Sequence, residues 1–466
     1  MKTKIICTIG PACNKEESIK ELMAAGMSVA RVNCSHGTLE SNEATIEMLK
    51  RVRKRSGEPL AIMLDTKGPD IRIGSFEGGH AFLVNGQKFI LTTKPCIGNE
   101  TKVFVDQKKL LRVLQPKHKI VLNDGFIRME VQEIVGSDII CWVETGGKLS
   151  DRKSLFVPGL DFKLPFLSKA DELDLLLAIK TDVDYISASF VSSAKDVLAI
   201  RTFLKSHGAD IPIIAKIESV RGVQNIDEIL NAADGIMTAR GDLGVEYPIE
   251  QIPTLQKMLS RKAVALGKLV ITATEMLESM IEKPRPTRAE TTDIANAVYD
   301  GACGLMLSGE TAIGKYPLQS VRYMKKIAEE AEKHVPYEAN FGVNEISVNG
   351  TKEAFAKTII SASWAAKAKA IVVFTESGGT AMRVAKYRPG CGVYAHARDE
   401  KVYNQMAMIN SVTPIYLNEI LTTDKMLKIG EDYVRRNKIA KSGDVIIINA
   451  SYRDTDTDLV LIHPLA

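Results

Sequence analysis

The chain has 466 residues, of which 45% are hydrophobic and 25% are charged, as in ordinary folded proteins. At roughly 150 residues per domain, this length suggests about three domains. Lys and Arg number 61 and Asp and Glu number 57, giving a net charge of +4. This near balance excludes a strong overall attraction to nucleic acid or to an anionic membrane surface.

The sequence also predicts where the protein works. No apolar run approaches the roughly 18 residues of a membrane span, and the Lys-containing start lacks the apolar region of a signal peptide. The seven cysteines are scattered and contain no CxxC pair, which fits reduced thiols better than disulfides or a zinc site. We therefore expect a cytoplasmic protein with neither a membrane nor a nucleic acid as partner.

Eight short apolar runs bounded by turn residues predict the buried strands of a parallel sheet. They cover residues 3–8, 28–32, 60–64, 184–189, 212–217, 235–239, 269–273 and 304–307. Amphipathic helices are predicted between most of them, for example over residues 17–24, 40–53, 172–178, 193–206 and 256–266. Eight strand–helix units indicate a TIM (β/α)8 barrel.

The connection after the third strand is far too long for a barrel unit. Residues 69–158 show short alternating strands separated by turns such as Asn85-Gly86, Asp124-Gly125 and 136–138. We predict a small β-barrel domain inserted here, which would cover the barrel mouth as a lid.

A third domain follows a helix predicted over residues 320–334. Helices over 353–367 and 380–387 alternate with strands over 370–374, 392–395, 412–416, 444–449 and 459–462, which predicts a separate α/β sheet. The predicted domains are therefore 1–68 and 159–337 for the barrel, 69–158 for the lid and 338–466 for the α/β domain.

Polar residues follow six of the eight barrel strands, at the ends where TIM barrels carry their active sites. Loops are generally polar, but this alone explains six such clusters at equivalent strand ends poorly. Lys216 and Glu218 point the same way from one strand, although a lone pair of this kind is more often a structural ion pair. Asp242 follows the next strand, and two neighbouring carboxylates suit Mg²⁺ or Mn²⁺. Lys216 could then neutralise a phosphoryl group or an enolate.

Other candidates are weaker individually. Arg31 and Arg72 suit phosphate, or are solvated charges. His36 is more often structural than catalytic. The turn 241–244 could present amides to an anion. Four small oxygen donors with one charge suit a monovalent cation, although ordinary turn chemistry would give the same pattern. They are Asn33, Ser35, Asp65 and Thr66.

Nine motifs occur in the order in which they occur in pyruvate kinases, and the chain resembles that family throughout. They are KTKIICTIGP (2–11), RVNCSHG (31–37), LDTKGP (64–69), LNDG (122–125), IAKIE (214–218), ARGDLG (239–244), TATEMLESM (272–280), PRPTRAE (284–290) and MLSGETA (306–312). The resemblance implies a barrel, an inserted lid and a C-terminal α/β domain. It also implies a homotetramer that transfers phosphoryl from phosphoenolpyruvate to ADP, giving pyruvate and ATP.

The resemblance also implies a role for each residue. Lys216 stabilises the transition state and the enolate, and Glu218 and Asp242 hold the divalent metal. Phosphoenolpyruvate is contacted by Gly241, Asp242 and Thr274, and phosphate by Arg31 and Arg72. K⁺ is bound by Asn33, Ser35, Asp65 and Thr66, and the nucleotide is contacted by Asn33, Ser35, His36 and Arg72. An acidic Asp70 after the TKGP motif is typical of K⁺-dependent members.

Three positions depart from the family pattern. Glu275 replaces the usual Gln, and Arg221 replaces an acidic or amide residue. The usual ATP-contacting Lys is either displaced by one place, to Lys169, or lost. From spacing alone, the loop 375–380 fits a plain helix cap as well as an anion site. It lies where allosteric members of the family bind a sugar phosphate, so we expect such an effector here, although Glu376 would repel phosphate unless its side chain points away. Two other classes stay open: a different metal-dependent barrel enzyme acting on an enolate, and a barrel that has lost catalysis.

Overall fold

The computed structural model describes residues 1–69, 71–123, 125–160, 166–343, 348, 350–418, 422–451 and 458–466. Asp70 and Asp124, both used above, therefore lie outside the described residues. Within these ranges, no helix combines the length and the apolar character that crossing a membrane requires.

The chain begins with the first part of a barrel. Near-continuous apolar runs form its strands because both faces of each strand are buried. The elements are β1 (Lys4–Thr8), α1 (Glu16–Ala25), β2 (Met27–Asn33), α2 (Leu39–Ser56) and β3 (Ala61–Asp65).

A β-rich segment interrupts the barrel after β3. Its elements are β4 (His80–Leu83), β5 (Lys88–Thr92), β6 (Lys102–Phe104), α3 (Leu110–Val113), β7 (Lys119–Leu122), β8 (Ile127–Val135), β9 (Asp138–Thr145), β10 (Gly147–Ser150) and β11 (Leu155–Phe156). They pair as a six-stranded sheet, β11-β7-β8-β9-β5-β6, and a two-stranded sheet, β10-β4, around one apolar core. The described ladders are thus two sheets rather than one closed ring.

The second part of the barrel follows. Its elements are α4 (Lys169–Lys180), β12 (Tyr185–Ala188), α5 (Ala194–Ser206), β13 (Ile213–Ile217), α6 (Val220–Gln224), α7 (Ile226–Ala232), β14 (Gly235–Ala239), α8 (Arg240–Glu246), α9 (Ile252–Ala265), β15 (Leu269–Ala273), α10 (Arg288–Tyr299), β16 (Gly304–Leu307), α11 (Gly309–Ala312) and α12 (Pro317–Glu332). The eight strands close in the order β1-β16-β15-β14-β13-β12-β3-β2, and every pairing is parallel. The predicted TIM barrel is confirmed.

The last part of the chain forms a separate α/β sheet. Its elements are α13 (Tyr337–Val343), α14 (Thr351–Ala365), β17 (Ala370–Phe374), α15 (Gly379–Lys386), β18 (Gly392–Ala397), α16 (Glu400–Gln405), β19 (Val412–Tyr416), α17 (Thr423–Arg436), β20 (Val445–Ser451) and β21 (Asp458–Pro464). The strand order is β19-β18-β17-β20-β21, with only the β20–β21 pair antiparallel.

This C-terminal domain packs against the amino ends of the barrel strands. Lys4 Nζ donates a 2.6 Å hydrogen bond to the Val412 carbonyl oxygen, and Tyr185 Oη donates to the Gln405 carbonyl oxygen at 2.9 Å. Met408 is fully buried in the same apolar cluster as the barrel interior. The carboxyl ends of the strands, on the opposite side, are left for the site.

Candidate active site

Lys216 lies at the centre of a buried charged cluster at the carboxyl end of β13. Its Nζ lies 2.9 Å from Glu218 Oε1 and 3.3 Å from Asp65 Oδ1, and Lys216 itself is 8% exposed. Burial alone would lower the pKa of Lys216, but the two carboxylates outweigh it and raise that pKa to about 12. A permanently charged ammonium group is therefore held inside the barrel mouth.

Asp65 is shared between this lysine and Arg31 on the neighbouring strand β2. Arg31 Nε donates to Asp65 Oδ2 at 2.5 Å, and Arg31 Nη1 donates to Thr8 Oγ1 at 3.0 Å. Burial opposes ionisation of Asp65, but Arg31 and Lys216 overcome it and hold the pKa of Asp65 below its ordinary value. The cluster combines two cations with two buried carboxylates, so each charge is partly compensated.

Ser189 belongs to the same cluster, and the sequence analysis missed it. Lys216 Nζ donates to its Oγ at 2.8 Å, while that hydroxyl lies 2.7 Å from the Thr66 carbonyl oxygen and 3.1 Å from Asp65 Oδ1. Ser189 closes the predicted strand 184–189, one of the two strand ends that were not counted as polar. Its position at a strand end was the signal that could have found it.

The four predicted K⁺ ligands lie at or just after the ends of β2 and β3, where the two strands are in register. Asn33 pairs with Asp65 across the two strands, and the Cys34 amide donates to the Asp65 carbonyl oxygen at 3.0 Å. Asn33 Oδ1 accepts a 3.1 Å hydrogen bond from the Ser35 amide, and Thr66 Oγ1 accepts one from the Ser189 amide at 3.3 Å. Each accepting oxygen keeps a second lone pair for a cation.

Glu218 and Asp242, the predicted divalent-metal ligands, both surround Lys216. Glu218 is 1% exposed and its Oε2 accepts a 2.6 Å hydrogen bond from the Phe190 amide, while Asp242 helps to raise the pKa of Lys216. Among the described residues no group of three or more His, Cys, Asp and Glu side chains could hold a metal. Two hard oxygen donors would leave most of the coordination shell of a Mg²⁺ to water and substrate.

Thr274 has a left-handed backbone conformation that its neighbours fix. Thr274 and Glu275 have φ of 67° and 52°, values that are uncommon for residues other than glycine. Arg240 Nη2 donates to the Thr274 carbonyl oxygen at 2.6 Å, and Arg240 Nη1 donates to Asp293 Oδ2 at 2.5 Å. Neither Arg240 nor Asp293 was predicted from the sequence, although Arg240 stands within the 239–244 motif.

Gly241 contacts the same threonine. Its amide donates a 2.8 Å hydrogen bond to Thr274 Oγ1, which in turn lies 2.6 Å from the Ala273 carbonyl oxygen. The ends of β14 and β15 are therefore joined at the predicted phosphoenolpyruvate contacts. In this arrangement the Gly241 amide is engaged with Thr274.

His36 and Arg72, predicted to face the nucleotide, lie within electrostatic range of each other. Partial burial lowers the pKa of His36, and the charges of Arg72, Arg31 and Lys153 lower it further. Arg72 stands at the base of the inserted domain, where it forms a bridge to Ser154. The structure thus gathers three basic side chains around one edge of the barrel mouth.

Two aspartates of α4 hold the loop that leads from β3 into the inserted domain. The Gly68 amide donates to Asp171 Oδ1 at 2.7 Å, and the Lys67 amide donates to Asp174 Oδ2 at 3.3 Å. Gly68 has φ of 74°, and a Cβ there would lie 2.8 Å from Ser189 Cβ, so the position requires glycine. Lys169 is the first residue of α4, directly after its N-cap Ser168.

The loop 375–380 of the C-terminal domain opens helix α15. Gly378 is the N-cap, with φ of 76°, and neither the Ser377 nor the Thr380 side chain forms a hydrogen bond within the described part of the chain. The plain side-chain cap considered above is thus not formed. Glu376 is exposed, and the Arg383 guanidinium lies over Gly379, 3.2 Å from where a Cβ would stand.

These features define a class: a (β/α)8-barrel enzyme whose mouth holds a buried lysine, two arginines and several oxygen donors beneath an inserted β domain. Models of the pyruvate kinase barrel domain and of the pyruvate kinase alpha/beta domain match residues 1–321 and 353–463. The chain therefore belongs to the pyruvate kinase family, and it is a phosphotransferase of glycolysis.

Individual relatives agree over nearly the whole chain. The chain is 42% identical to the pyruvate kinase of Clostridium perfringens, covering 97% of this chain and 96% of that protein. It is 41% identical to the pyruvate kinase of Geobacillus stearothermophilus, covering 100% of this chain and 80% of the relative. The crystal structure of a pyruvate kinase from Cryptosporidium parvum is similar with a TM-score of 0.91 and 36% identity, covering 99% and 96% of the two chains. The family and fold class inferred from the motifs are confirmed.

Proposed function

We propose that the barrel mouth transfers the phosphoryl group of phosphoenolpyruvate to ADP, giving pyruvate and ATP, with Lys216 as the central catalytic group. The observation that supports this is the buried, charged Nζ of Lys216 between Asp65 and Glu218. Phosphoryl transfer passes through a loose transition state and needs mainly positioning and charge neutralisation. A fixed ammonium group in a site of low dielectric supplies both for the phosphoryl group and for the developing enolate.

Glu218 and Asp242 are proposed to hold Mg²⁺ or Mn²⁺. Enzymes of this family generally depend on metal ions, and a set of two carboxylates fits a hard divalent cation. When bound, such an ion supplies Lewis-acid stabilisation of phosphoryl oxygens. The Phe190 amide keeps Glu218 oriented by donating to its Oε2.

The oxygens of Asn33, Ser35, Asp65 and Thr66 are proposed to hold K⁺. This proposal is supported by the register of β2 against β3 and by the free lone pairs described above. A single carboxylate among neutral oxygens suits a monovalent cation better than a divalent one.

The remaining assignments concern the two substrates. Arg31 and Arg72 are proposed to contact phosphate, and Gly241, Asp242 and Thr274 to contact phosphoenolpyruvate. Asn33, Ser35, His36 and Arg72 are proposed to face the nucleotide, and basic groups at one edge of the barrel mouth favour phosphates there. We further propose a cytoplasmic homotetramer that a sugar phosphate activates at the loop 375–380.

A coupled assay of ATP formation tests the reaction. Purified protein with phosphoenolpyruvate, ADP and Mg²⁺ should form ATP, and the rate should rise when K⁺ replaces tetramethylammonium. A chain that consumes phosphoenolpyruvate without forming ATP would instead be a different metal-dependent enzyme acting on an enolate. No consumption with either cation would show a barrel that has lost catalysis.

A further inference from the structure

A small cavity lies between the barrel and the C-terminal domain, on the side opposite the candidate active site. Its volume is about 40 Å³. The loop before β15 and residues next to β16 line it from the barrel, while α15 and the segment before β19 line it from the other domain. A cavity of this size holds about three water molecules or one small ion.

The charged residues that line this cavity are all basic. Lys268, Lys386 and Arg388 are among its twelve lining residues, and none of the twelve is acidic. Lys386 Nζ lies 2.9 Å from a Glu353 oxygen, and Lys268 Nζ donates to a carbonyl oxygen at 2.7 Å. Arg388 differs from both, because no carboxylate of the described residues lies within 4.0 Å of its guanidinium.

Two hydrogen-bond donors at the cavity are buried and have no partner. Asn410 is 7% exposed, and its Oδ1 accepts a 2.7 Å hydrogen bond from Ser411 Oγ, which orients the amide. Its Nδ2 is left without an acceptor, and so is Arg388 Nε, among the residues that the structure describes. A buried donor without an acceptor destabilises the fold. Two such donors at one cavity therefore indicate an acceptor that the protein itself does not supply.

The fold keeps Arg388 in this position. A Cβ on Gly301 would lie 2.7 Å from Arg388 Nη1, so the glycine leaves room for the guanidinium. Arg388 also lies 6.0 Å from the centre of the Tyr337 ring, and its Nη2 makes a 3.4 Å contact with the Val298 carbonyl oxygen. The side chain is thus packed between both domains, and the Glu332 carboxylate acts on it without a direct ion pair among the described residues.

We propose that this cavity binds a small inorganic anion, in the size range from a halide to inorganic phosphate, between Arg388 Nε and Asn410 Nδ2. A donor-only site with excess positive charge accepts such an ion and rejects a cation. Both donors belong to the C-terminal domain, and barrel residues such as Lys268 and Leu269 complete the lining, so the site is complete only when the two domains pack together. Anything that binds only the folded state raises the unfolding temperature.

The direct test is a crystal soaked in sodium bromide, whose anomalous signal marks the ion. We expect a bromide site in contact with both Arg388 and Asn410, at least tenfold weaker in Asn410→Ala. A second crystal soaked in phosphate distinguishes a halide site from an oxyanion site. A cavity that holds only water in both soaks would overturn the proposal.

The solution test replaces gluconate, which is too large for the cavity, by chloride or phosphate at constant ionic strength. The unfolding temperature of the unaltered chain should rise, and the rise should shrink in Asn410→Ala and in Arg388→Met. Lys428→Met, which removes an exposed cation from α17, is the matched control and should keep the full rise. Ions bound at the active site affect all variants alike. An equal rise in Asn410→Ala and the unaltered chain would refute the site even if Arg388→Met fails to fold.

Discussion

The Gly241 amide donates a 2.8 Å hydrogen bond to Thr274 Oγ1 and so joins the ends of two neighbouring barrel strands. Thr274 can receive this bond because Arg240 holds its carbonyl oxygen and its left-handed backbone in place. Strained backbone of this kind persists where the surroundings determine it, and it concentrates at functional sites. The hydrogen bond therefore fixes the position of the 239–244 motif relative to Thr274.

Asp293 should act on catalysis through Arg240. Asp293→Ala removes the carboxylate that orients Arg240 Nη1, which should loosen Thr274 and lower kcat by about tenfold, or roughly 1.4 kcal/mol. The KM for ADP should change less than kcat, since Thr274 is assigned to phosphoenolpyruvate. Steady-state kinetics measure both, with Asp227→Ala as the control for loss of an exposed ion pair with Lys262. Equal kcat in Asp293→Ala and the unaltered chain would contradict this positioning role.

Lys216→Met should nearly abolish turnover. Removing a preorganised charge from a transferring phosphoryl group typically costs about 3 kcal/mol or more, so kcat should fall at least a hundredfold. The fold should persist, because Arg31 still compensates Asp65, but stability should fall since Glu218 loses its cation. Circular dichroism reports whether the fold persists, and steady-state kinetics give kcat. A variant with more than a tenth of the original kcat would rule out the proposed role.

Asp174 should make the unfolding free energy depend on pH. Burial, assisted by the charge of Asp171, raises the pKa of Asp174 to about 6. The folded state therefore binds the proton more tightly than the unfolded state, whose Asp pKa is about 3.9. This contribution is complete below pH 4 and is lost as pH rises through 6, a change of up to about 3 kcal/mol.

Asp174→Asn removes this dependence while still accepting from the Lys67 amide. Its free energy of unfolding should exceed that of the unaltered chain at pH 7, and the difference between the two should be smaller at pH 4. Urea unfolding in K⁺-free buffer measures both. Asp210→Asn, at an exposed carboxylate, should follow the unaltered chain. A flat stability difference between Asp174→Asn and the unaltered chain from pH 4 to 7 would disprove the burial argument.

Asp70 should make the enzyme depend on K⁺, a prediction that rests on the sequence because Asp70 lies outside the described residues. A Lys at this position would supply covalently the positive charge that K⁺ brings, so Asp70→Lys should lower the K⁺ requirement. The assay compares rates in K⁺ and in tetramethylammonium, with Asp106→Lys, at an exposed position of the inserted domain, as control. Equal rates of the unaltered enzyme in both cations would refute the prediction.

Thr380→Asp should abolish activation by a sugar phosphate. The first turn of α15 lacks a side-chain cap, and the Arg383 guanidinium lies over Gly379, so an anion is favoured there and a new carboxylate would repel it. Calorimetry with a panel of sugar mono- and bisphosphates measures binding to the unaltered chain and to the variant. In the unaltered enzyme, the activating sugar phosphate should lower the KM for phosphoenolpyruvate. Thr358→Asp, on an exposed face of α14, is the control. Unchanged binding in Thr380→Asp would place the effector elsewhere.

Sequence pattern predicted the barrel well because its strands are buried on both faces. The last three predicted strands, 235–239, 269–273 and 304–307, have the observed bounds, and the others differ by one residue at one or both ends. Residues of the cluster that lie in motifs, such as Lys216 and Asp65, were found by their positions after strands. The register that places Asn33 beside Asp65 is a property of the closed barrel.

Residues that act through other residues escaped the sequence analysis. Ser189 is one of many serines, and its role depends on three contacts with Asp65, Thr66 and Lys216. Asp293 lies on α10, about fifty positions from the arginine that it orients. Arg388 and Asn410 come from two separate loops of the C-terminal domain that line the same cavity against the barrel, so no spacing rule links them.

The contacts of β1 impose an order on the folding of the chain. This strand pairs with β2, but its other edge pairs with β16, which begins 300 residues later, and Lys4 reaches Val412 beyond that. During synthesis the first strand emerges long before these partners, so one edge of the nascent sheet stays unpaired until most of the chain has left the ribosome. Such late, non-local closure slows folding and exposes a strand edge to aggregation. Refolding yield should therefore fall steeply with protein concentration.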